Sequence, residues 1–89
     1  MTRRIVCSVR DSATQLFGQP FYAVAIGAAL RTFSDEVNRQ HQDNQLYNHS
    51  EDFELHLLAE FDDESGEYFV PPSGKRVLAR GKDVKNPLV

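Results

Sequence analysis

The side chains best suited to bind a cation are acidic and imidazole groups near the middle of the chain. Carboxylate oxygens are the ligands that Ca²⁺ and Mg²⁺ prefer, and the candidates are His49, Glu51, Asp52, Asp62 and Asp63. The Asp-Asp-Glu-Ser-Gly segment that contains the last two lacks the spacing of a calcium-binding loop. Turn propensity and solubility explain these acids more simply. The sequence therefore predicts no metal site and no cofactor.

Cys7 is the only thiol, and it is the candidate nucleophile, with His49 or His56 as its base. A catalytic cysteine needs an accessible environment that favours the thiolate. Cys7 instead lies between Ile5 and Val9 on an apolar face, where a free cysteine is usually buried and structural. Three scattered histidines make no zinc site, and the sequence contains no glycine-rich phosphate loop. The sequence therefore predicts a protein that is not an enzyme, and its single cysteine fits a reducing cytoplasm.

One long segment takes apolar residues at every second position. The apolar series is Phe53, Leu55, Leu57, Ala59 and Phe61, and the polar residues between them are Glu54, His56, Glu60 and Asp62. Only Leu58 breaks this alternation. The pattern predicts a β-strand with one face on the core and one in water. A polar turn with Gly66 follows, and β-type residues resume at 67–70, so a β-hairpin is predicted.

The first half of the chain predicts one strand and one helix. A strand is expected at residues 4–10, where Ile5, Cys7 and Val9 occupy one face. A helix is expected from Tyr22 or Ala23 to Asn38, because apolar residues recur with a 3.6-residue period at Ile26, Leu30, Phe33 and Val37. Gly27 lowers helix propensity, which suggests close packing against the sheet. Residues 11–22 and 39–52 are predicted to be loops.

These elements predict an α+β fold in a small single domain. The sheet is antiparallel and three-stranded or four-stranded, one helix packs on one face, and the order is β-α-β-β. The domain is expected at residues 1–72, because Pro71 and Pro72 end the third strand. Residues 73–89 are expected to be a basic C-terminal tail, in which 76–80 form a short edge strand or a helical turn, or which is disordered.

The net charge of −3 hides an asymmetry along the chain. Residues 1–33 carry four arginines against one aspartate, a net +3, and residues 71–89 carry five basic residues against one aspartate, a net +4. Residues 34–70 carry eleven acids against one arginine, a net −10. This acidic middle argues against a uniform nucleic-acid footprint, which needs a coherent basic face.

The charges also bear on strand pairing. If the first two strands are neighbours, the arginines of the first would face the polar series of the second, and opposite charges across a ladder stabilise it by a few tenths of a kcal/mol per pair. This complementarity supports pairing of the two strands, and it is equally consistent with a binding surface.

A set of short motifs resembles the small non-structural protein of gokushovirus-type microviruses, which are single-stranded DNA phages. The motifs are Val9-Arg10-Asp11, Pro20-Phe21, Arg31-Thr32-Phe33-Ser34-Asp35-Glu36-Val37-Asn38, His49-Ser50-Glu51-Asp52-Phe53-Glu54-Leu55 and Glu60-Phe61-Asp62-Asp63-Glu64-Ser65-Gly66. Ser50 departs from the proline that this pattern has after the histidine. The resemblance implies a non-structural accessory protein in the host cell cytoplasm, acting in single-stranded genome synthesis or packaging.

Two functions are open at this point. The first is a non-catalytic adaptor that offers acids to a basic phage replication or capsid protein, through Glu51, Asp52, Glu60, Asp62 and Asp63. The alternative is direct binding of single-stranded DNA through Arg3, Arg4, Arg10, Lys75, Arg76 and Arg80. Exposed tyrosines near the arginines would then stack on bases, and Tyr22, Tyr47 and Tyr68 are the candidates.

A homodimer or small oligomer is also expected, because a small sheet has two edges and a chain of 89 residues has a limited core. Val6 and Leu58, on the otherwise polar face, are the predicted contact. No apolar run approaches the ~20 residues of a membrane span, so no membrane contact is predicted.

Overall fold

The computed structural model describes residues 3–86. Residues 1–2, at the start of the predicted domain, and residues 87–89, at the end of the predicted tail, lie outside the described part. The strands are β1 (Arg3–Asp11), β2 (Leu16–Phe17), β3 (Phe21–Ala23), β4 (Phe53–Asp62), β5 (Tyr68–Phe69) and β6 (Arg76–Arg80). The helices are α1 (Ile26–Val37), α2 (Gln45–Asn48) and α3 (Gly81–Val84), with a 3-10 turn at Ser50–Asp52.

A single antiparallel sheet is built around two long strands. β1 pairs with β4 along its whole length, β2 and β3 pair with the other edge of β1, and β5 and β6 pair with the other edge of β4. The α+β class and the antiparallel sheet agree with the prediction. The predicted three or four strands in the order β-α-β-β do not, because six strands are present in the described residues. β2 and β3 are two and three residues long, too short to show an alternating pattern.

The hydrophobic core lies between this sheet and α1. Ile5, Cys7, Leu55 and Leu57 of the sheet contact Ala29, Phe33 and Val37 of the helix. The predicted helical period is therefore confirmed, with its last two apolar positions fully buried and Ile26 and Leu30 at the margin. No helix within residues 3–86 is long and apolar enough to cross a membrane.

A β-bulge divides β4 into two halves with opposite orientation. Cys7 lies opposite Leu57 and Val6 lies opposite Ala59, so Leu58 is an extra residue in β4. Before the bulge, odd-numbered residues of β4 face α1; after it, Glu60 and Asp62 are on that side, because Glu60 lies opposite the core residue Ile5.

Two predictions about faces are therefore wrong. Ala59 and Phe61 do not continue the core face of Leu55 and Leu57, and Glu60 and Asp62 do not share a face with Glu54 and His56. Since the side-chain period of a strand is two, one added residue exchanges the faces for everything that follows. The two residues of the predicted dimer contact are less exposed than predicted, because Val6 is buried and Leu58 is half-buried.

Glycine has different roles at two positions. A Cβ at Gly27 would meet no atom within 4 Å, so the predicted close packing of this glycine against the sheet is wrong. Gly81 is buried where β6 passes into α3, and a Cβ there would lie 2.2 Å from the carbonyl oxygen of Ser50. The backbone of α3 thus packs directly against the 3-10 turn, which holds the C-terminal segment beside the first residues of β4.

Candidate functional site

The face of the sheet opposite α1, called the outward face below, combines aromatic rings with arginines. Residues that pair across antiparallel strands share a face, so the register assigns the set. Its members are Arg4, Val6, Ser8 and Arg10 of β1, Phe17, Tyr22, Glu54, His56, Ala59, Phe61, Tyr68, Val77 and Arg80. The acids that follow the bulge, Glu60 and Asp62, are not among them.

Three aromatic rings form an arch across one end of the outward face. Tyr22 on β3 and Tyr68 on β5 belong to opposite edges of the sheet, and their hydroxyl groups hydrogen-bond to each other above Phe61. The ring centroids of Tyr22 and Phe61 are 5.4 Å apart, and those of Phe61 and Tyr68 are 4.9 Å apart. The hydroxyl bond raises the pKa of Tyr22 above its ordinary value. Tyr22 is 46% exposed and Tyr68 is 56% exposed, so this tyrosine arch offers ring surface to solvent.

At the other end of the outward face, Phe17 covers His56. Their rings meet edge to face with centroids 5.0 Å apart, and Phe17 remains 38% exposed. The ammonium group of Lys75 lies 6.0 Å from the centre of the Phe17 ring. His56 is buried, its Nε2 lies 3.2 Å from Oε1 of Glu54, and Oε2 of Glu54 is 3.5 Å from Nε of Arg80. This end thus carries an aromatic ring with cations beside it.

The thiol is separated from its predicted base. Cys7 lies in the core on the α1 side, whereas His56 lies on the outward face. Burial raises the pKa of Cys7, which disfavours the thiolate. The geometry does not assemble a nucleophile with His56 as its base.

Asp62 closes the turn between β4 and β5. It is only 4% exposed, and its Oδ1 accepts a hydrogen bond of 2.9 Å from the backbone N–H of Glu64. This bond, chiefly, lowers the pKa of Asp62. The carbonyl oxygen of Asp62 also accepts the N–H of Gly66, whose φ of 76° is the left-handed conformation that glycine adopts readily.

The other acids after the bulge pair with arginines of β1. Oε2 of Glu60 lies 3.6 Å from Arg3, and Oδ2 of Asp63 lies 3.7 Å from Nε of Arg4. The predicted pairing of β1 with β4 is confirmed, and opposite charges do meet across it. These acids and arginines therefore neutralise each other in part within one molecule.

The remaining predicted acids lie at the far end of β4. Glu51 and Asp52 are in the 3-10 turn, separated from Asp62 by a ten-residue strand, about 30 Å at ~3.3 Å per residue. Ligand atoms of His49, Glu51 and Asp52 come within 4.8 Å of one another. His49 and Asp52 also line a cavity of about 330 Å³, together with Asp11, Ala13, Gln45, Leu46 and Phe53. The five candidate cation ligands are thus divided between the two ends of β4.

The predicted basic residues are also divided between the two faces. By register Arg4, Arg10 and Arg80 belong to the outward face. Lys75 is also placed on this face, because its ammonium group lies over the ring of Phe17. Arg3, whose guanidinium lies 4.2 Å from the centre of the Phe69 ring, and Arg76 belong to the α1 side.

Sequence reasoning missed the roles of Phe17, which it left in a predicted loop, and of Phe61, which it placed on the core face. The break in alternation at Leu58 was the available signal, because an apolar residue out of phase in a strand marks a bulge as readily as an exposed contact. The tyrosine arch depends on that bulge, since Phe61 reaches the outward face only because Leu58 is inserted.

Comparison with known proteins gives one match. A family model described as "Phage ORF5 protein" matches residues 4–84 of the chain. No curated protein and no solved structure matches.

Proposed function

The chain belongs to the Phage ORF5 protein family, and on that premise we propose that it is a non-catalytic phage accessory protein that binds single-stranded DNA through its outward face. The observation that carries this proposal is the tyrosine arch beside Arg4. Bases have a π-face whatever their identity, so exposed aromatic rings bind single strands with little sequence preference. The arch presents such rings on a sheet that α1 covers only on its other side.

The distribution of charge supports the same function. Phosphates are repelled by a negative surface, and the acidic middle of the sequence argued against DNA binding. After the bulge, however, Glu60 and Asp62 belong to the α1 side. Within residues 3–86, the strand register assigns Glu54 to the outward face, and Asp63 reaches that face through its ion pair with Arg4. Three arginines and Lys75 outnumber these two acids. The outward face is therefore basic although the whole chain is acidic.

The test is binding of a fluorescent oligothymidylate, measured by anisotropy at several salt concentrations. Wild-type protein is expected to bind with an affinity that falls steeply as salt rises, because phosphate contacts release counterions. Tyr68→Leu, which keeps an apolar side chain but removes the aromatic ring, should weaken binding by about 5- to 150-fold, since each stacked base contributes ~1–3 kcal/mol. Tyr47→Leu is the matched control, because Tyr47 lies on α2 beneath Lys85 rather than on the sheet.

Two results would overturn this proposal. One is absence of binding by the wild-type protein at low salt. The other is equal loss in the Tyr68 and Tyr47 variants, both shown to be folded by circular dichroism, because that result would not depend on the outward face.

A second candidate function is an adaptor for a basic phage replication or capsid protein. The observation that favours it is the position of Glu51 and Asp52, which have no ion pair within residues 3–86, and of which Asp52 lines the cavity. Glu51→Gln with Asp52→Asn should then abolish capture of the basic partner and leave DNA affinity unchanged. Loss of DNA affinity in this variant would instead place the acids in the DNA site.

The finer biological setting is part of the proposal. The motifs shared with gokushovirus-type microviruses suggest a role in single-stranded genome synthesis or packaging in the host cytoplasm. Coating of newly made single strands is the step for which a sequence-tolerant stacking surface is suited. A tagged protein expressed during infection should co-purify with single-stranded rather than duplex phage DNA, and recovery of duplex alone would contradict this assignment.

A further inference from the structure

We propose that Phe17 is a second base-stacking position, so that the outward face holds one single strand at two separate points. This inference rests on the proposed function and deepens it, because it specifies how long a strand the site requires. The tyrosine arch lies at one end of the outward face, and Phe17 lies at the other.

Phe17 is held firmly in place by backbone contacts. It lies opposite Arg10 in the ladder between β1 and β2. The next residue, Gly18, makes two hydrogen bonds to β1. Its carbonyl oxygen accepts a 2.7 Å bond from Oγ of Ser8, and its N–H donates a 2.8 Å bond to the carbonyl oxygen of Val9. The edge contact with His56 orients the ring. A fixed, exposed ring loses little conformational entropy when a base stacks on it.

Three cationic side chains share the outward face with this ring. Lys75 lies over Phe17, Arg10 lies opposite it in the ladder, and the exposed Arg80 lies on the same face. Glu54, the nearby acid, is already engaged by Arg80 and His56. A base on Phe17 would therefore bring its phosphates next to positive charge. An aromatic ring with neighbouring cations is the chemistry that single-stranded nucleic acid requires.

The separation of the two positions sets the length of the strand. Val6 lies opposite Tyr22 and Arg10 lies opposite Phe17. The four-residue step between them along β1 spans about 13 Å at ~3.3 Å per residue. A strand at its stacked rise of about 3.4 Å needs roughly four nucleotides to cover that distance, and an extended strand needs fewer. A dinucleotide is too short to occupy both positions, whereas an octanucleotide is long enough.

The experiment compares these two lengths in the intact protein. Phe17→Leu keeps an apolar contact with His56 but removes the aromatic ring. Its affinity for an oligothymidylate octanucleotide should fall by about 5- to 150-fold. The affinity of a thymidine dinucleotide for the arch, followed by the ring NMR signals of Tyr68, should change less than about twofold. Phe69→Leu is the matched control, because Phe69 lies on the α1 side under Arg3.

Each outcome has one meaning. If Phe17→Leu leaves octanucleotide affinity unchanged while Tyr68→Leu weakens it, the second position does not exist and the proposed function stands. An equal loss for both lengths also removes the second position, since Phe17 would then act through the arch. If neither variant changes binding of either length, the proposed function itself has failed.

Discussion

Asp62 and Asp63 are adjacent in the sequence, yet the structure gives them different tasks. The carboxylate of Asp62 is buried and accepts the N–H of Glu64, whereas the carboxylate of Asp63 is on the surface and pairs with Arg4. A residue that caps a backbone N–H affects the stability of the fold. A residue that pairs with a surface arginine affects mainly what that arginine can bind.

Asp62→Ala should lower the melting temperature at pH 7 by several degrees, and Asp63→Ala should leave it nearly unchanged. The folded state lowers the pKa of Asp62 below its ordinary value of 3.8. A lowered pKa gives stability that is present above the unfolded pKa and is lost as pH falls through the folded pKa. The difference between wild type and Asp62→Ala should therefore shrink at acid pH, as thermal melts between pH 7 and pH 2 can show. A constant difference at every pH would exclude this role of the ionised carboxylate.

Asp63→Asn should strengthen binding of single-stranded DNA. The substitution releases Arg4 from an exposed ion pair, and such pairs contribute ~0.2–1 kcal/mol, which corresponds to an affinity gain of up to about fivefold. Anisotropy titrations at low salt measure it. Asp43→Asn is the control, since Asp43 carries the same charge in the segment between α1 and α2, outside the strands of the sheet. Weaker DNA binding by Asp63→Asn alone would mean that Arg4 needs its partner.

At the scale of elements, the sequence predicted the strands and the helix that are long enough to show a hydrophobic period, and it missed the short strands. β1, β4 and α1 were predicted because each is long enough to display its repeat, and their packing on Cys7 and Phe33 agrees with it. β2 and β3 are too short for any period to appear. The break in alternation at Leu58 indicates an irregularity in β4, but only the register with β1 shows that the faces are exchanged there. The candidate site was predicted only in part for the same reason.

Deletion of Leu58 should leave the fold and the outward face intact. Leu58 is the unpaired residue of the bulge, so its removal restores a regular ladder in which Ala59 and Phe61 keep their orientation. The loss of stability should stay within about 2 kcal/mol, the value for one partly buried leucine. Urea unfolding measures it, and deletion of Ser8 from β1, where no residue is spare, is the control expected to unfold. Unfolding on loss of Leu58 would contradict the bulge.

Two glycine substitutions test how α3 is held. Gly81→Ala should cost at least about 2 kcal/mol, because the added methyl group would overlap the backbone of Ser50 and the two segments would have to separate. Gly27→Ala meets no neighbour and should stabilise the protein by up to about 1 kcal/mol through helix propensity. Urea unfolding of both variants gives the comparison. Equal stability of the two would show that α3 does not pack against the 3-10 turn.

For the molecule as a whole, charge along the sequence and charge in space differ. The segment 34–70 has eleven acids, but most of them lie on the α1 side, in the turns or in the helices, and the basic side chains of the outward face outnumber Glu54 and Asp63 there. The shape is elongated, 46 × 23 × 21 Å, with the long strands β1 and β4 at its centre. The positive charge that a single strand of DNA would contact is therefore on one broad side of the molecule.

We expect the protein to form a symmetric dimer through the edge that contains β3. Within residues 3–86, β3 pairs with β1 alone, so its outer edge can pair with a second copy, and the most exposed apolar side chains along that edge of the sheet are Leu16 of β2 and Val24, at 67% and 72%. Sedimentation equilibrium at tens of micromolar protein should show the dimer, and Leu16→Ser with Val24→Ser should be monomeric. A wild-type monomer at that concentration, which is well above typical specific affinities, would contradict the expectation.

The tyrosine arch also gives the protein an optical property. The chain has no tryptophan and three tyrosines, and two of the three are the arch itself. Ultraviolet emission of the unlabelled protein therefore originates largely from the two rings that bases are proposed to cover. Because the two rings are joined by the bond between their hydroxyl groups, a change in that emission would report on the state of the arch without any attached dye.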